Sequence, residues 1–203
     1  MFIRSHIADS SMSLDKPQPD RAEALPFYDR EYQNTLSTRN KLARSVWFFV
    51  NLLLFAPSPT PCFGWRRLLL RLLGGRIAPS AKVYPSTRIW APWNLTMEQG
   101  SCLGPEVYCY SVAPVFLRSD ATVSFRTFLC TASHDIRHPQ RPLVVGPICL
   151  ERGAFVFADA FIGMNVTVGE GAVVAARAVI VRNVASYDIV GGNPASVIGT
   201  RKP

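Results

Sequence analysis

The sequence predicts a mainly β protein in which the chain coils into a three-sided prism, preceded by a helical segment. Two observations support this prediction. An aliphatic residue returns at every sixth position from Leu150 to Ile180, and the residue four places after each is small or β-branched. The same spacing begins upstream, just after Gly75. A period of six fits neither an amphipathic helix nor a two-faced strand, but it fits a chain that turns a corner every six residues.

The N-terminal part of the chain divides by composition into a tail and a helical segment. Residues 1–20 are polar and rich in Ser, Asp and Pro, a composition that predicts a disordered tail. Residues 21–75 are predicted to form the helical segment. Ser37 or Thr38 can cap a first helix, and the prolines within residues 57–61 end it.

Two predicted helices in this segment each carry an apolar stripe at helical spacing. Gly74 and Gly75 end the second helix, since glycine readily takes the left-handed conformation that closes a helix. Arg66, Arg67 and Arg71 lie off its stripe. The stripe residues are Leu42, Val46, Phe49, Val50 and Leu53 in the first helix, and Trp65, Leu68, Leu69, Leu72 and Leu73 in the second.

The charge of the helical segment leaves two arrangements open. The chain has a formal net charge of +8, and the stretch between Glu31 and Glu98 holds nine basic residues and no acidic one. The helix pair can pack on the prism as a lid, or it can lie on a membrane surface with its basic residues toward anionic headgroups. We expect no nucleic-acid partner. The longest apolar run, residues 46–56, is far shorter than the roughly 20 residues that span a bilayer.

The prism is predicted over residues 76–190, with about five coils of three hexads each. Two slips of two residues shift the six-residue phase in its first half. Residues 131–147 break the pattern with two histidines, three prolines and two arginines, so they are predicted to protrude as a loop. Residues 191–203 form a closing segment. Five cysteines, an odd number with no C-x-x-C pair, predict reduced thiols in a cytoplasmic protein rather than disulfides or a zinc site.

Three features of the prism region together resemble a known family. They are the hexads, the His134-Asp135 pair in the loop, and the closing Gly191-Gly-Asn-Pro-Ala195. These resemble the hexapeptide-repeat acyltransferases, whose fold is a left-handed parallel β-helix. The left hand is implied by the resemblance alone. The segments Phe63-Gly-Trp-Arg-Arg67, Ala91-Pro-Trp-Asn-Leu95 and Leu129-Cys-Thr-Ala-Ser-His-Asp135 are similar to the colanic acid biosynthesis acetyltransferase branch, which is related to the maltose and galactoside O-acetyltransferases.

The resemblance implies an enzyme that transfers acetyl from acetyl-CoA to a sugar hydroxyl in exopolysaccharide precursor synthesis. Such a transfer needs a base for the hydroxyl proton and donors for the tetrahedral oxyanion, and histidine suits the first task because it titrates near neutrality. By resemblance His134 is the general base and the attack is direct, with no metal. Ser133 is a poor nucleophile partner, because neighbouring side chains on an extended chain point apart.

The remaining site residues are also predictions from the resemblance. Coenzyme A is expected along the prism wall between subunits of a homotrimer, and Ser111 and Asp135 are the candidates for contact with the acceptor sugar. His138 is interpreted as a loop residue. The coenzyme-binding candidates are Phe155, Ala158, Ala176 and Arg182, with Val181 and Arg201 beside them. The basic helices are expected to hold the enzyme near lipid-linked acceptors at the inner face of the membrane.

Several positions depart from the family pattern. Phe157 stands where relatives often have glycine, Arg177 stands where a glycine is usual, and Ser196 replaces a basic residue. These departures keep open a non-catalytic trimeric scaffold as an alternative. A carbonic anhydrase of the same fold is a weaker alternative, because its metal site needs three histidines and the prism region has only His134 and His138.

Overall fold

The computed structural model describes residues 37–202, so the predicted tail and the start of the predicted helical segment lie outside the described residues. Helix α1 spans Thr38–Val50 and continues as a π-helical turn, Asn51–Phe55. Helix α2 spans Phe63–Leu72. The predicted N-cap is confirmed at Ser37, whose side chain accepts a hydrogen bond from the Asn40 backbone N–H at 3.2 Å.

The helices pack through a face that the apolar stripes identified only at Leu69. In α1 and the π-helical turn the buried residues are Trp47 and Phe55, and in α2 they are Arg66, Leu69 and Leu70. The Trp47 indole N–H donates to the Ile89 carbonyl at 2.6 Å, which fixes α1 to the prism. Most stripe residues face outward instead, at 42–74% exposure.

Short strands, most of two or three residues, follow the helices. In chain order they are β1 Arg76–Ile77, β2 Lys82–Val83, β3 Arg88–Ile89, β4 Leu95–Met97, β5 Cys102–Leu103, β6 Tyr108–Tyr110, β7 Val115–Leu117, β8 Thr122–Val123, β9 Phe128–Cys130, β10 Ala132–His134, β11 Leu143–Val145, β12 Ile148–Leu150, β13 Phe155–Val156, β14 Phe161–Ile162, β15 Val166–Val168, β16 Val173–Val174, β17 Val179–Ile180, β18 Asp188–Gly192 and β19 Ala195–Thr200. A single turn of 3-10 helix, Pro92–Asn94, precedes β4.

These strands stack in parallel into three walls, which confirms the predicted parallel β-helix. The first wall contains β1, β4, β7, β12 and β15, the second β2, β5, β8, β13 and β16, and the third β3, β6, β9, β14 and β17. Five complete coils result, and β18 adds to the second wall to begin a sixth. Strand β19 pairs antiparallel with β18, so the closing segment ends the solenoid as a hairpin.

The register between coils explains the two slips in the hexad pattern. Early coils pair residues 20 apart, as in Ile77 with Met97, whereas late coils pair residues 18 apart, as in Leu150 with Val168. The third coil is longer still, because it contains the predicted protruding loop. The extra residues fall each time at the corner between the third and first walls. We call this corner the hairpin edge.

One continuous core fills the prism and extends under the helices. The inward aliphatic residues of the central coils, such as Leu117, Leu129 and Ile162, are 0% exposed. Leu69 and Leu70 of α2 belong to the same core. Because the inward side chains of the first coil would otherwise be open to solvent, α2 closes the N-terminal end of the prism. This packing confirms the part of the lid arrangement that concerns α2.

Candidate active site

The loop predicted over residues 131–147 contains a β-hairpin that projects from the hairpin edge. Its strands β10 and β11 pair antiparallel, with His134 opposite Leu143, and it is inserted between β9 of the third wall and β12 of the first. The Gly146 backbone N–H donates to the Thr131 carbonyl at 2.9 Å and closes the base of the hairpin. A Cβ atom at Gly146 would lie 2.0 Å from the Asn165 side-chain oxygen, so a larger residue here would displace the Asn165 amide.

Thr131 anchors the hairpin to the coil before it. Its side chain is 0% exposed. The hydroxyl donates to the Tyr110 carbonyl at 2.6 Å and accepts from the Ala113 backbone N–H at 3.0 Å. Both hydrogen-bonding roles of this buried hydroxyl are therefore satisfied, which removes the desolvation cost of burying it. The hairpin thus leaves the prism from a fixed point.

His134 lies at the end of β10 with its ring exposed. Its Nδ1 lies 2.8 Å from the Arg141 carbonyl oxygen on the returning side of the hairpin. A carbonyl oxygen only accepts hydrogen bonds, so Nδ1 carries the proton and Nε2 holds the free lone pair. The imidazole is therefore held in one orientation and one tautomer, with a proton-accepting nitrogen facing outward.

Asp135 and His138 shape the tip of the hairpin. The Asp135 backbone N–H donates to the Pro142 carbonyl at 3.0 Å, and its carboxylate accepts from the Arg137 N–H at 2.9 Å. The His138 Nδ1 accepts from the Gln140 backbone N–H at 3.1 Å. Both side chains are thus engaged within the loop, which fits the interpretation of His138 as a loop residue, while the contact of Asp135 with an acceptor sugar stays a prediction.

Ser111 lies inside the hairpin edge and not on its surface. It is 0% exposed, and its hydroxyl both donates to the Ala91 carbonyl and accepts from the Ala91 N–H, each at 3.0 Å. Asn94 reinforces the same corner by donating to the Ser111 carbonyl at 2.9 Å. The position of Ser111 therefore does not support the predicted contact with an acceptor, and its hydroxyl braces the coil below the hairpin.

Two of the coenzyme-binding candidates occupy equivalent positions in neighbouring coils. Ala158 and Ala176 each lie two residues beyond a paired inward residue, Val156 or Val174, at the corner between the second and third walls. The Ala158 carbonyl accepts from the Arg177 backbone N–H at 3.0 Å. We call this corner the alanine edge. Because both side chains are small, a ligand can approach the backbone closely here.

The other coenzyme-binding candidates flank these two edges. Phe155 is half-buried on the second wall, and its ring packs 4.7 Å from that of Phe157. Arg182 is exposed and follows β17 at the hairpin edge. It lies two residues beyond Ile180, as Thr131 lies two residues beyond Leu129. Arg182 and the base of the His134 hairpin therefore share one edge, while Ala158 and Ala176 lie one wall away.

The backbone conformation of Arg177 gives a reason for the glycine that the resemblance leads us to expect at this corner. Its backbone has φ of 60°, the left-handed region that costs a non-glycine residue roughly 1–2 kcal/mol. Its guanidinium lies 4.0 Å from the Asp159 carboxylate. That carboxylate also forms a bidentate ion pair with Arg126. These hydrogen bonds from Arg126 hold the pKa of Asp159 below its ordinary value of 3.8.

Other nucleophiles and ligand groups are not arranged for chemistry. Burial raises the pKa of the Cys109 thiol to about 12. Burial, followed by Glu151, raises that of Cys149 to about 11. Both thiols are therefore protonated at neutral pH and weak as nucleophiles. Within residues 37–202 no three His, Cys, Asp or Glu side chains lie close enough to hold a metal ion.

Two surface cavities lie near the N-terminal coils, and His134 lines neither of them. One is lined by residues between Arg71 and Ser119, the other by residues between Asn51 and Arg126.

Sequence reasoning located His134 but missed the two groups that position it, the Thr131 side chain and the Arg141 carbonyl. The break in the hexads after Leu129 marks where such an anchor is needed, whereas no sequence signal marks a backbone carbonyl.

Comparison with known proteins finds both similar sequences and similar folds, although no family model matches the chain. The chain is 32% identical over 162 residues to WcaF of Escherichia coli strain K12, named as a candidate colanic acid biosynthesis acetyltransferase, and the match covers 80% of this chain and 89% of that protein.

Two solved structures share the fold of this chain at lower sequence identity. A hexapeptide-repeat acetyltransferase of Vibrio cholerae, complexed with acetyl coenzyme A, superimposes with a TM-score of 0.72 at 22% identity, covering 85% of this chain and 94% of that one. A maltose O-acetyltransferase of Clostridium difficile 630 gives 0.74 at 17% identity, with 82% and 90% covered. From its match to WcaF and its prism, the chain belongs to the hexapeptide-repeat acyltransferases, in the branch of the colanic acid biosynthesis acetyltransferases.

Proposed function

We propose that this chain is an O-acetyltransferase that moves the acetyl group of acetyl-CoA to a sugar hydroxyl of an exopolysaccharide precursor. The observation that carries the proposal is the His134 imidazole, which is fixed through Nδ1 to the Arg141 carbonyl at 2.8 Å and keeps Nε2 free. The relationship to WcaF supports the substrate class, since that protein is named for colanic acid biosynthesis.

In the proposed reaction the acceptor hydroxyl attacks the thioester carbonyl directly. As the new C–O bond forms, Nε2 of His134 takes the hydroxyl proton, and the positive charge that develops on the ring is stabilised by the Nδ1–H bond to the Arg141 carbonyl. When the tetrahedral intermediate collapses, the C–S bond breaks and the imidazolium returns its proton to the departing sulfur. No acyl-enzyme is needed, in keeping with the protonated state of Cys109 and Cys149.

The separation of the two edges supports an active site shared between subunits. His134 leaves the prism at the hairpin edge, whereas Ala158 and Ala176 lie at the alanine edge, one wall away. We propose a homotrimer in which the hairpin of one subunit reaches the alanine edge of the next. Coenzyme A would then lie against Ala158 and Ala176, with Phe155 beside the chain of the coenzyme and Arg182 near a phosphate.

We further propose that the enzyme works at the cytoplasmic face of the membrane, where lipid-linked sugar acceptors are available. The exposed basic side chains at the start of α1, Arg39 and Lys41, support this location, because the inner leaflet is anionic. Within the described residues no helix is long and apolar enough to cross a bilayer. A surface association is therefore the form of membrane contact that we propose.

The departures at Phe157 and Arg177 motivate the alternative of a non-catalytic trimeric scaffold. Phe157 is 47% exposed beside the alanine edge, where a glycine would leave more room for a ligand. Arg177 follows Ala176 at the same edge, and its side chain is 83% exposed with only a 4.0 Å contact to the Asp159 carboxylate. Both departures therefore bear on the space beside the proposed coenzyme site.

Transfer of acetyl from acetyl-CoA to a panel of sugars tests the proposal. We expect turnover by the wild-type trimer and a loss of about 10²–10⁴-fold in kcat for His134→Ala, the range typical of a general base. His138→Ala is the matched control, since it removes the other histidine of the hairpin and should change kcat by less than about threefold. Equal rates for His134→Ala and the wild type would exclude the proposed base, and a wild type that binds acetyl-CoA without transfer to any sugar would favour the scaffold.

A further inference from the structure

The two helices expose an unusual number of large apolar side chains. Of the sixteen large hydrophobic residues that are exposed in residues 37–202, ten lie in α1, the π-helical turn and α2. Apolar exposure concentrated in one region marks a docking surface in soluble proteins. We call these ten residues the apolar ridge: Leu42, Val46, Phe48, Phe49, Leu52, Leu53, Leu54, Trp65, Leu68 and Leu72.

The outward orientation of the apolar ridge is fixed by contacts on the opposite side of the helices. Trp47 is buried and donates to the Ile89 carbonyl at 2.6 Å. The Arg66 guanidinium, 0% exposed, donates to the carbonyls of Val83, Pro59 and Thr60 and to the Ser58 hydroxyl. These bonds prevent the helices from rolling over to bury the ridge against the prism. The ridge is therefore a stable surface of the folded chain.

Most basic side chains near the apolar ridge are turned toward the prism. Arg66 is buried, Arg67 donates to the Ala81 carbonyl at 3.0 Å, and Arg71 donates to the Ile77 carbonyl at 2.7 Å. Arg39 and Lys41, at the start of α1, are exposed. The arrangement differs from a helix that attaches through a basic face, because apolar side chains form the exposed surface and a few cations flank it.

We propose that the apolar ridge inserts into the interfacial layer of an anionic lipid bilayer and anchors the enzyme without spanning it. This inference rests on the proposed membrane location and names the surface and the driving force. An interfacial helix presents aromatic and aliphatic residues to the acyl boundary and cations to the headgroups, and Phe48, Phe49 and Trp65 supply aromatic groups of this kind. Between residues 37 and 97 no carboxylate opposes an anionic surface.

Charge favours a lipid surface over a second copy of the chain as the occupant. A two-fold contact between two ridges would bring the same patch of each copy together. It would place Arg39 and Lys41 of both copies at one contact, with no acidic residue in this stretch to pair with them. An anionic leaflet provides charges of the opposite sign across the whole surface.

Vesicle flotation with the full-length protein tests the inference. We expect binding to phosphatidylcholine vesicles and about fivefold tighter binding per engaged basic residue when phosphatidylglycerol is added. Raising salt from about 0.1 to about 1 M should remove only this electrostatic part, because the Debye length falls from about 10 to about 3 Å. The double variant F49S/L53S should bind about tenfold to a hundredfold more weakly, as expected for two apolar side chains left out of the membrane.

The control is V197S/I198S, which changes two apolar residues on β19 with matching exposure. Val197 and Ile198 are 58% and 63% exposed, and Phe49 and Leu53 are 59% and 65% exposed. Thermal unfolding monitored by circular dichroism establishes that both double variants are folded. Wild-type protein that stays unbound with both vesicle types overturns the inference. So does an equal loss of binding in the two double variants, or self-association through the ridge without vesicle binding.

Tryptophan quenching by brominated lipid gives a second, position-specific measurement. Trp65 lies on the ridge at 42% exposure, whereas Trp90 is half-buried on the prism under the Arg44 guanidinium, so quenching should fall sharply in Trp65→Phe and persist in Trp90→Phe. Vesicle binding by His134→Ala separates this inference from the proposed chemistry. That variant should bind vesicles like the wild type. If the wild-type protein binds vesicles and transfers no acetyl group, only the acetyltransferase proposal fails; if the wild type transfers acetyl and does not bind vesicles, only the membrane inference fails.

Discussion

The prism and the helical segment each carry a regular apolar pattern, and the two patterns face opposite ways. In the prism the aliphatic residue of each hexad points inward, and Leu117, Leu129 and Ile162 are 0% exposed. In α1 and the π-helical turn the stripe points outward, and Leu42 and Leu53 are 67% and 65% exposed. Periodicity shows which residues share a face of an element, but it does not show whether the molecule or its surroundings cover that face.

The difference arises from the way each region satisfies the hydrogen bonds of its backbone. A coil of the prism has two neighbouring coils for its strand hydrogen bonds, so its apolar side chains must fill the space that the three walls enclose. A helix satisfies its own backbone internally. It can therefore attach through a few large contacts, here Trp47, Arg66 and Leu70, and leave the rest of its apolar surface available.

Truncation of one leucine in each region provides the most direct test of this comparison. Leu129→Ala, in the centre of the prism, should lower the free energy of unfolding by about 2–5 kcal/mol, because it removes buried methyl groups and leaves a cavity. Leu53→Ala should change it by less than about 0.5 kcal/mol, as expected at an exposed site. Urea unfolding of both variants measures the effects, and a large loss in Leu53→Ala would show that the ridge is covered in the assembled protein.

Replacement of Arg66 tests the polar attachment of α2. The side chain lies off the apolar stripe, yet it is fully buried, and burial lowers its pKa below the ordinary value for arginine. Arg66→Ala should lower the free energy of unfolding by about 2–3 kcal/mol, since it leaves the Val83, Pro59 and Thr60 carbonyls without their charged donor. The neighbouring Arg67→Ala removes one hydrogen bond to Ala81 and should cost less than about 1 kcal/mol. Equal effects in urea unfolding would contradict an anchoring role for Arg66.

Much of the fold was predictable because a local rule repeats. A six-residue period located the prism and its corners, and the broken pattern after Leu129 located the hairpin. The N-cap at Ser37 and the proline stop after α1 followed from the same kind of local preference. Each of these features depends on residues close together in the sequence.

The candidate site was less predictable, because its geometry depends on partners distant along the chain. Histidine chemistry and the resemblance identified His134, but its tautomer depends on the Arg141 carbonyl across the hairpin. The resemblance placed Ser111 near the expected acceptor. Its hydroxyl instead exchanges hydrogen bonds with the Ala91 backbone, 20 residues earlier at the same corner of the preceding coil. The coil spacing brings these two residues together, but it does not show that the Ser111 side chain points inward.

Acid sensitivity should come from the prism and not from α1 or α2, since residues 37–97 contain no carboxylate. On the first wall, Arg118 forms an ion pair with Glu98 at 2.8 Å between neighbouring coils. The hydrogen bond from Arg118, followed by those from Ser119, lowers the pKa of Glu98 below its ordinary value of 4.5. A carboxyl with a lowered folded-state pKa stabilises the protein above its unfolded pKa, and this stability is lost as the pH falls through the folded pKa.

The contribution of this pair should be small, because both side chains are more than a third exposed and solvent screens them to less than about 1 kcal/mol. Glu98→Gln should therefore lower the urea midpoint slightly at about pH 6 and converge with the wild type once the pH has fallen through the folded-state pKa of Glu98, where the carboxyl is protonated in both states. Glu106→Gln is the matched control on the same prism, since no ion pair is formed by Glu106 among the described residues. A difference between Glu98→Gln and the wild type that does not shrink as the pH is lowered would assign the contribution of Glu98 to packing, and the link between these coils would then be independent of charge.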